Sequence, residues 1–121
     1  MDKEQVRRLV ERQAHAWETQ DTDTIVADFA PGGVFISPSG RWQGQNAIRD
    51  GAESFFKDAQ EIKCTVQRVL LDGGEGAVEL TWSETSRTTG KRSSTEDAVF
   101  FQLHGDKIDY WREYIAKKEG E

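Results

Sequence analysis

Three acidic residues in the second half of the sequence fall in phase with bulky residues on segments that alternate like β-strands. Glu84 lies two positions beyond Trp82, and Glu113 lies two positions beyond Trp111. Asp97 begins a segment in which every second residue is apolar. Because side chains two positions apart on a strand share a face, these acids and the bulky residues point the same way. The pattern predicts a partly apolar cavity that contains carboxyl groups.

Carboxyl groups in such a cavity are suited to general acid–base catalysis, which typically contributes about 10²–10⁴ in rate. Burial raises a carboxyl pKa, and a neighbouring carboxylate raises it further. We therefore expect Glu113 to be the principal acid or base, with Asp97 or Glu84 orienting it or a water. The sequence leaves an alternative open, in which Glu84 and Glu113 are solvated at a rim or paired with arginines and Asp97 binds backbone amides.

Other catalytic constellations are missing from the sequence. Cys64 is the single cysteine, so no internal disulfide forms, and no Cys/His spacing predicts a zinc site. There is no Gly-x-Ser-x-Gly elbow, and the glycine cluster at 73–76 lacks the following helix that a phosphate-binding loop needs. We expect no metal and no cofactor.

The first half of the chain must position these acids with helices. Residues 3–18 carry an apolar stripe at helical spacing that ends at Trp17. A second, short helix begins at one of two aspartates, points Phe29 inward and ends at a Pro-Gly-Gly sequence. Residues 34–36 predict a short strand, and a third helix is expected to begin near position 45 or 46.

The second half predicts four antiparallel strands joined by short turns. From Glu61 onward the apolar residues alternate, and a phase slip near Gln67 and Arg68 predicts a bulge. Helices followed by such a meander predict an α+β fold. The charged residues after Lys117 are expected to fray. Turns are predicted at 72–76, 88–91 and 104–106.

The last two strands carry large apolar residues on both faces. Phe100 opposes Phe101, and Tyr110 and Ile108 oppose Trp111. A sheet that is apolar on both sides is usually covered on both sides. The helices can cover one face only, so we expect a homodimer through the outer sheet face.

The bulk composition limits the partners. The chain has 121 residues, which is the size of one domain spanning 1–121. Its net charge of −6 argues against nucleic acid and anionic membranes, because both need a basic surface. No apolar run indicates a signal peptide or a membrane span, so we expect a cytoplasmic protein.

The order of these motifs resembles the nuclear transport factor 2-like superfamily, in particular its polyketide cyclase-like (SnoaL-like) branch. The resemblance implies a cone, in which a strongly curved, mostly antiparallel sheet wraps around the helices and leaves a deep cavity. It also implies dimers through the outer sheet face. The resemblance covers nearly the whole chain and rests on residues 16–17, 21–31, 34–36, 44–48, 105–108 and 111–114.

By resemblance to limonene epoxide hydrolase-like members, Glu113 falls on the final acid of the site and Glu84 on the earlier one. Trp111 and Asp97 then also face the cavity. That pattern has an arginine where this chain has Trp82, which breaks its acid–arginine–acid relay. The isomerase-like members have a tyrosine on the first helix, and this chain has none there. Neither activity therefore follows from the resemblance.

The expected function is binding of a small, mostly apolar or cyclic molecule in the cone. If the protein is an enzyme, we expect cofactor-free isomerisation, cyclisation, dehydration or hydrolysis. The alternative is a non-catalytic ligand carrier or a dimerisation scaffold. The expected wall of the cavity consists of Trp17, Phe29, Trp42, Phe55, Trp82, Phe101 and Trp111.

Overall fold

Helices occupy the first half of the chain and long strands occupy the second half. The computed structural model describes residues 1–117; the tail that was expected to fray lies outside them. The helices are α1 (Lys3–Glu18), α2 (Thr22–Ala27) and α3 (Gln45–Phe56). The strands are β1 (Phe29–Ser37), β2 (Gly40–Gln43), β3 (Ala59–Asp72), β4 (Glu75–Ser86), β5 (Arg92–His104) and β6 (Lys107–Lys117).

The strands form one six-stranded sheet in the order β2-β1-β6-β5-β4-β3. Every neighbouring pair is antiparallel except β1 and β6, which are parallel. The predicted bulge in β3 is confirmed, because the register with β4 shifts between Val66 and Arg68. A second shift in the same ladder lies between Gln60 and Lys63. Bulges increase local twist and bend strands, so they curve this sheet. The α+β fold class is confirmed.

The helices begin where short polar side chains can satisfy free backbone amides. Asp2 and Gln5 form a capping box at the start of α1, and Asp21 accepts from the backbone amide of Thr24 at the start of α2. The apolar stripe of α1 packs against β3. The largest fully buried side chains are Phe29, Phe101, Leu9, Ile25, Ile108, Val6, Val69, Val78 and Val99.

The prediction that Phe29 belongs to the second helix is wrong. The helix ends at Ala27, and Phe29 begins β1, where it pairs with Ile108 across the parallel ladder. The backbone carbonyl of Asp28 accepts a hydrogen bond from the amide of Ile108 at 2.8 Å, so the chain already pairs with β6 at this point. The Pro-Gly-Gly sequence lies within β1, where the register with β6 shifts. Proline is tolerated at such irregularities because no ladder bond from its nitrogen is needed.

The prediction that Ile108 shares a face with Tyr110 is also wrong. Gln102 pairs with Tyr110 and Leu103 with Ile108, so Asp109 is an extra residue in β6. This bulge reverses the alternation, and Ile108 is buried on the same side as Trp111. The sequence also predicted only a turn before Trp42, whereas residues 40–43 form the short edge strand β2.

A buried polar network ties α1 to the junction of α2 and β1. The guanidinium of Arg12 donates to both carboxylate oxygens of Asp28, at 2.7 Å for the shortest contact. The side-chain amide of Gln13 donates to Asp28 at 2.9 Å and to the carbonyl of Ile25 at 3.1 Å. Asp28 is only 6% exposed, so its charge is compensated almost entirely by these partners.

Within residues 1–117, no helix combines the length and the apolar character needed to cross a membrane.

Replacing Asp28 by alanine should destabilise the protein by about 2–4 kcal/mol, because a buried amide donor and a guanidinium lose their acceptor. The matched control is Asp23→Ala. Asp23 pairs with Arg49 at the same 2.7 Å, but its side chain is 88% exposed. Exposed pairs contribute about 0–1 kcal/mol. Urea unfolding of both variants measures the difference, and equal losses would contradict the assigned role of the network.

Candidate functional site

A cavity of about 420 Å³ lies between the concave face of the sheet and the helices α1 and α3. The strands supply acids and hydroxyls to its wall, and the helices and β1–β2 supply much of the aromatic surface. Its lining residues are Trp17, Phe35, Ser37, Ser39, Trp42, Ile48, Asp50, Gly51, Ala52, Ser54, Phe55, Trp82, Glu84, Ser93, Thr95, Asp97, Glu113 and Ile115.

Aromatic rings from four elements meet around Trp17. Its ring centroid lies 5.8 Å from that of Phe35 on β1, 5.9 Å from that of Phe55 on α3 and 6.1 Å from that of Trp82 on β4. Phe35 in turn lies 5.9 Å from Trp42. These separations fall in the range favoured by aromatic pairs. Four of the residues expected on the wall, Trp17, Trp42, Phe55 and Trp82, line the cavity.

Gly51 explains how Trp42 reaches this wall. A Cβ atom at Gly51 would lie 2.8 Å from the indole nitrogen of Trp42, which is closer than side chains allow. A glycine within a helix costs about 1 kcal/mol relative to alanine. Here the missing side chain lets the indole ring pack directly against α3.

The other three residues expected on the wall lie in the core instead. Phe29 and Phe101 are each 1% exposed, and Trp111 is 5% exposed. Phe101 and Trp111 pair across β5 and β6, with ring centroids 6.3 Å apart. All three side chains belong to the hydrophobic core cluster.

The acids Asp97 and Glu113 are brought together on adjacent strands. Asp97 on β5 pairs with Ile115 on β6, and Glu113 pairs with Val99. The two acids are therefore diagonal neighbours on one face of the ladder, and both line the cavity. Diagonal positions of this kind have Cα atoms about 7–8 Å apart. The alternative for Asp97 was that it only binds backbone amides, but its side chain is 5% exposed and accepts a hydrogen bond from the side-chain hydroxyl of Thr95.

Burial raises the pKa of Glu113 to about 7. The indole N–H of Trp111 donates to its Oε2 at 3.3 Å and partly offsets this effect, and the charge of Asp97 raises the pKa further. Glu113 can thus exchange a proton near neutral pH, where both of its protonation states are populated.

Burial also raises the pKa of Asp97, and a hydrogen bond from Thr95 lowers it. The Thr95 hydroxyl donates to Oδ1 at 2.7 Å. Thr95 lies two positions before Asp97 on β5, so the period of the strand could have identified it as a site residue. Sequence reasoning did not include it.

Glu84 lines the cavity at its β4 wall, and its Oε1 accepts from the indole N–H of Trp82 at 2.8 Å. Sequence reasoning also missed Asp50 and Ser54, which lie one helical turn apart on α3. That spacing puts them on one face of the helix. Each is exposed, and the position of α3 over the sheet makes them part of the wall.

Cys64 on β3 is partly buried and lines a small second cavity together with Trp82 and Glu113. Burial raises the pKa of its thiol to about 12, and the charges of Glu113, Glu18 and Asp97 add to the effect. The thiol is therefore held neutral and is a weak nucleophile. In the part of the chain that the structure describes, no group of three or more His, Cys, Asp or Glu residues could hold a metal ion.

The sequence profile of the SnoaL-like domain family matches residues 10–111. None of the curated proteins compared with the chain matches it.

Several solved structures share the fold. A protein with a ketosteroid isomerase-like fold from Catenulispora acidiphila DSM 44928, in complex with trimethylamine, is similar with a TM-score of 0.83 and 16% identity, over 88% of this chain and 83% of that one. A protein from Jannaschia sp. CCS1 described as a SnoaL-like polyketide cyclase has a TM-score of 0.82 and 18% identity, over 95% of this chain and 90% of that one. An LEH-like epoxide hydrolase from M. tuberculosis has a TM-score of 0.77 and 20% identity, over 89% of this chain and 80% of that one. The fold implied by the resemblance is confirmed.

The raised pKa of Glu113 predicts a pH-dependent stability. The folded protein holds this proton up to about pH 7, whereas the ordinary pKa is 4.5. Ionisation therefore lowers the free energy of unfolding as the pH rises through this window, by about 2–3 kcal/mol. Glu113→Gln removes this loss. The difference in free energy of unfolding between Glu113→Gln and the wild type should therefore be about 2–3 kcal/mol larger, in favour of the variant, at pH 8 than at pH 5.

Urea unfolding at pH 5 and pH 8 measures this difference. Glu53→Gln on the exposed side of α3 is the control, and it should shift the free energy of unfolding equally at the two pH values. An equal shift for Glu113→Gln would show that the carboxyl is well solvated.

Proposed function

We propose that this chain, which belongs to the SnoaL-like domain family, binds a small, largely apolar molecule in its cavity and catalyses a cofactor-free proton transfer on it. The observation that carries the proposal is the pair of carboxyl groups, Asp97 and Glu113, side by side in a cavity walled by aromatic rings. The reaction class is isomerisation, cyclisation or hydration.

Glu113 is the group suited to move the proton. As a carboxylate it accepts a proton from a carbon or a water next to it, and as a neutral acid it returns that proton to another atom of the substrate. An isomerisation of this kind leaves the protein unchanged and needs no external oxidant or reductant. Asp97, oriented by Thr95, is placed to position the substrate or a water. Acids with a pKa near the working pH are the most effective in this role.

The solved structures with this fold support a small-molecule cavity more than any one reaction. One holds trimethylamine, one is described as a polyketide cyclase and one as an epoxide hydrolase. A second candidate, a non-catalytic ligand carrier, is favoured by Trp82. It stands where the hydrolase-like pattern has an arginine, so that relay is broken in this chain.

Exchange of carbon-bound hydrogens in D₂O distinguishes the two candidates. Cyclic enones such as 3-methylcyclohex-2-enone are suitable probes, because proton removal next to the carbonyl is visible by NMR. Wild-type protein should accelerate the exchange, and Glu113→Gln should reduce the rate by about 10²–10⁴.

Binding is followed in parallel by fluorescence of Trp17, Trp42 and Trp82, which line the cavity. The control is Asp106→Asn in the exposed turn between β5 and β6, which leaves the cavity intact and should retain the exchange. Binding without any acceleration by the wild type would favour the carrier.

We also propose that a second copy of the chain covers the outer face of the sheet. Leu70, Phe100 and Tyr114 are 52%, 56% and 48% exposed. The strand register places them on the face opposite the cavity, with Leu70 and Phe100 in one row and Tyr114 diagonal to Phe100. Three large exposed side chains on one sheet face indicate a contact surface.

Light scattering at micromolar concentration should give the mass of a dimer, and Phe100→Ser should shift the population toward the monomer. Phe55→Ser is the matched control. Phe55 is also partly exposed, at 37%, but it lies at the cavity, so its loss should leave the dimer intact. A monomeric mass for the wild type would refute the dimer.

A further inference from the structure

We propose that the ligand of the cavity is an organic cation, namely a compact protonated or quaternary amine attached to an apolar body. This inference rests on the proposed function, since it specifies the class of molecule that the same cavity takes. It follows from the charges and the rings that line the wall.

The charged groups on the wall are all acidic. Asp50 from α3, Glu84 from β4, Asp97 from β5 and Glu113 from β6 line the cavity. Among the residues that the structure describes, no lysine, arginine or histidine lines it. An anionic ligand would meet like charges, with the strongest repulsion at the buried Asp97. A cationic ligand would supply a counter-charge for the acids that are ionised.

Two basic side chains that adjoin cavity-lining residues in sequence are directed elsewhere. Arg49 is next to Asp50 on α3, but its guanidinium donates to Asp23 at 2.7 Å. Arg92 on β5 donates to the hydroxyls of Ser83 and Thr85, which are out of phase with the cavity-lining residues of β4. The counter-charge for the acids is therefore left to the ligand.

Aromatic rings that meet at steep angles form part of the cavity wall. Trp17 meets Trp82 at 70° and Phe55 at 76°, and Phe35 meets Trp42 at 64°. Steep angles between neighbouring rings build adjacent walls, whereas stacked rings would build one. The faces of such rings attract a cation through their quadrupoles, and indole is the strongest of them. Quaternary ammonium groups are recognised in proteins by aromatic side chains around them.

Asp97 and Glu113 also have oxygen positions that can accept hydrogen bonds from a ligand. Asp97 receives one bond from the Thr95 hydroxyl, and Glu113 receives one from the indole N–H of Trp111. Each of these bonds engages one oxygen, and a carboxylate has about four acceptor positions. Burial without a counter-charge costs free energy, and an ammonium placed between the two carboxylates would offset that cost.

The test compares two probes of the same shape, phenyltrimethylammonium and tert-butylbenzene. They differ at the central atom, which is a positively charged nitrogen in the first and a neutral carbon in the second. Quenching of tryptophan fluorescence gives both affinities in one buffer. The cation should bind at least about tenfold more tightly than its neutral isostere. Asp97→Asn and Glu113→Gln should each weaken binding of the cation by about tenfold and change binding of the isostere little.

The control variant is Asp106→Asn in the exposed turn between β5 and β6, which should leave both affinities unchanged. Near-UV circular dichroism checks that each variant keeps the aromatic packing, and Glu84→Gln replaces any variant that does not fold. If the isostere binds as tightly as the cation or more tightly, the inference is overturned and the proposed function stands. If neither probe binds, both are overturned.

Discussion

The packing around Trp17 is the constraint on which the cavity depends. Its ring contacts rings from β1, α3 and β4, so a single side chain fixes how closely α1 and α3 approach the sheet. Aromatic side chains have few rotatable bonds and pack at defined separations. A flexible aliphatic residue at this position would let the helices settle onto the concave face. The rings line the space between α3 and the sheet that forms the cavity.

That space makes the two carboxyl groups unusual. Asp97 and Glu113 stand on the concave face of the sheet, where Asp97 is 5% exposed and Glu113 is half-buried. Asp28 shows the contrast, because it is as buried as Asp97 but is bound by a guanidinium and an amide. The charge of Asp28 is paired with that of Arg12, and this contact helps to hold the fold together. The other two keep their pKa values raised, and the protein loses stability at neutral pH as a result.

The periodicity of large residues was enough to predict the fold class and the bulge in β3, because each depends on residues close in sequence, whereas the resemblance was needed to place Glu113 and Asp97 on the inner face. Prediction was wrong where pairing between distant strands decides. Phe29 enters the sheet because β6 pairs with it, and the face of Ile108 is set by a bulge against β5. The same limit applies to the predicted cavity wall, because Phe101 is buried in the core and does not line the cavity.

Trp82 links the sequence to the electrostatics of the site. An arginine at this position, as in the hydrolase-like pattern, would place a positive charge beside the acids and lower their pKa values. With an indole ring here, burial raises the pKa values of Asp97 and Glu113, and the indole N–H donates a hydrogen bond to Glu84. Trp82 also contributes an aromatic surface to the cavity, and among the described residues that line it the charged side chains are all acidic. This combination is the one that the proposed cationic ligand requires.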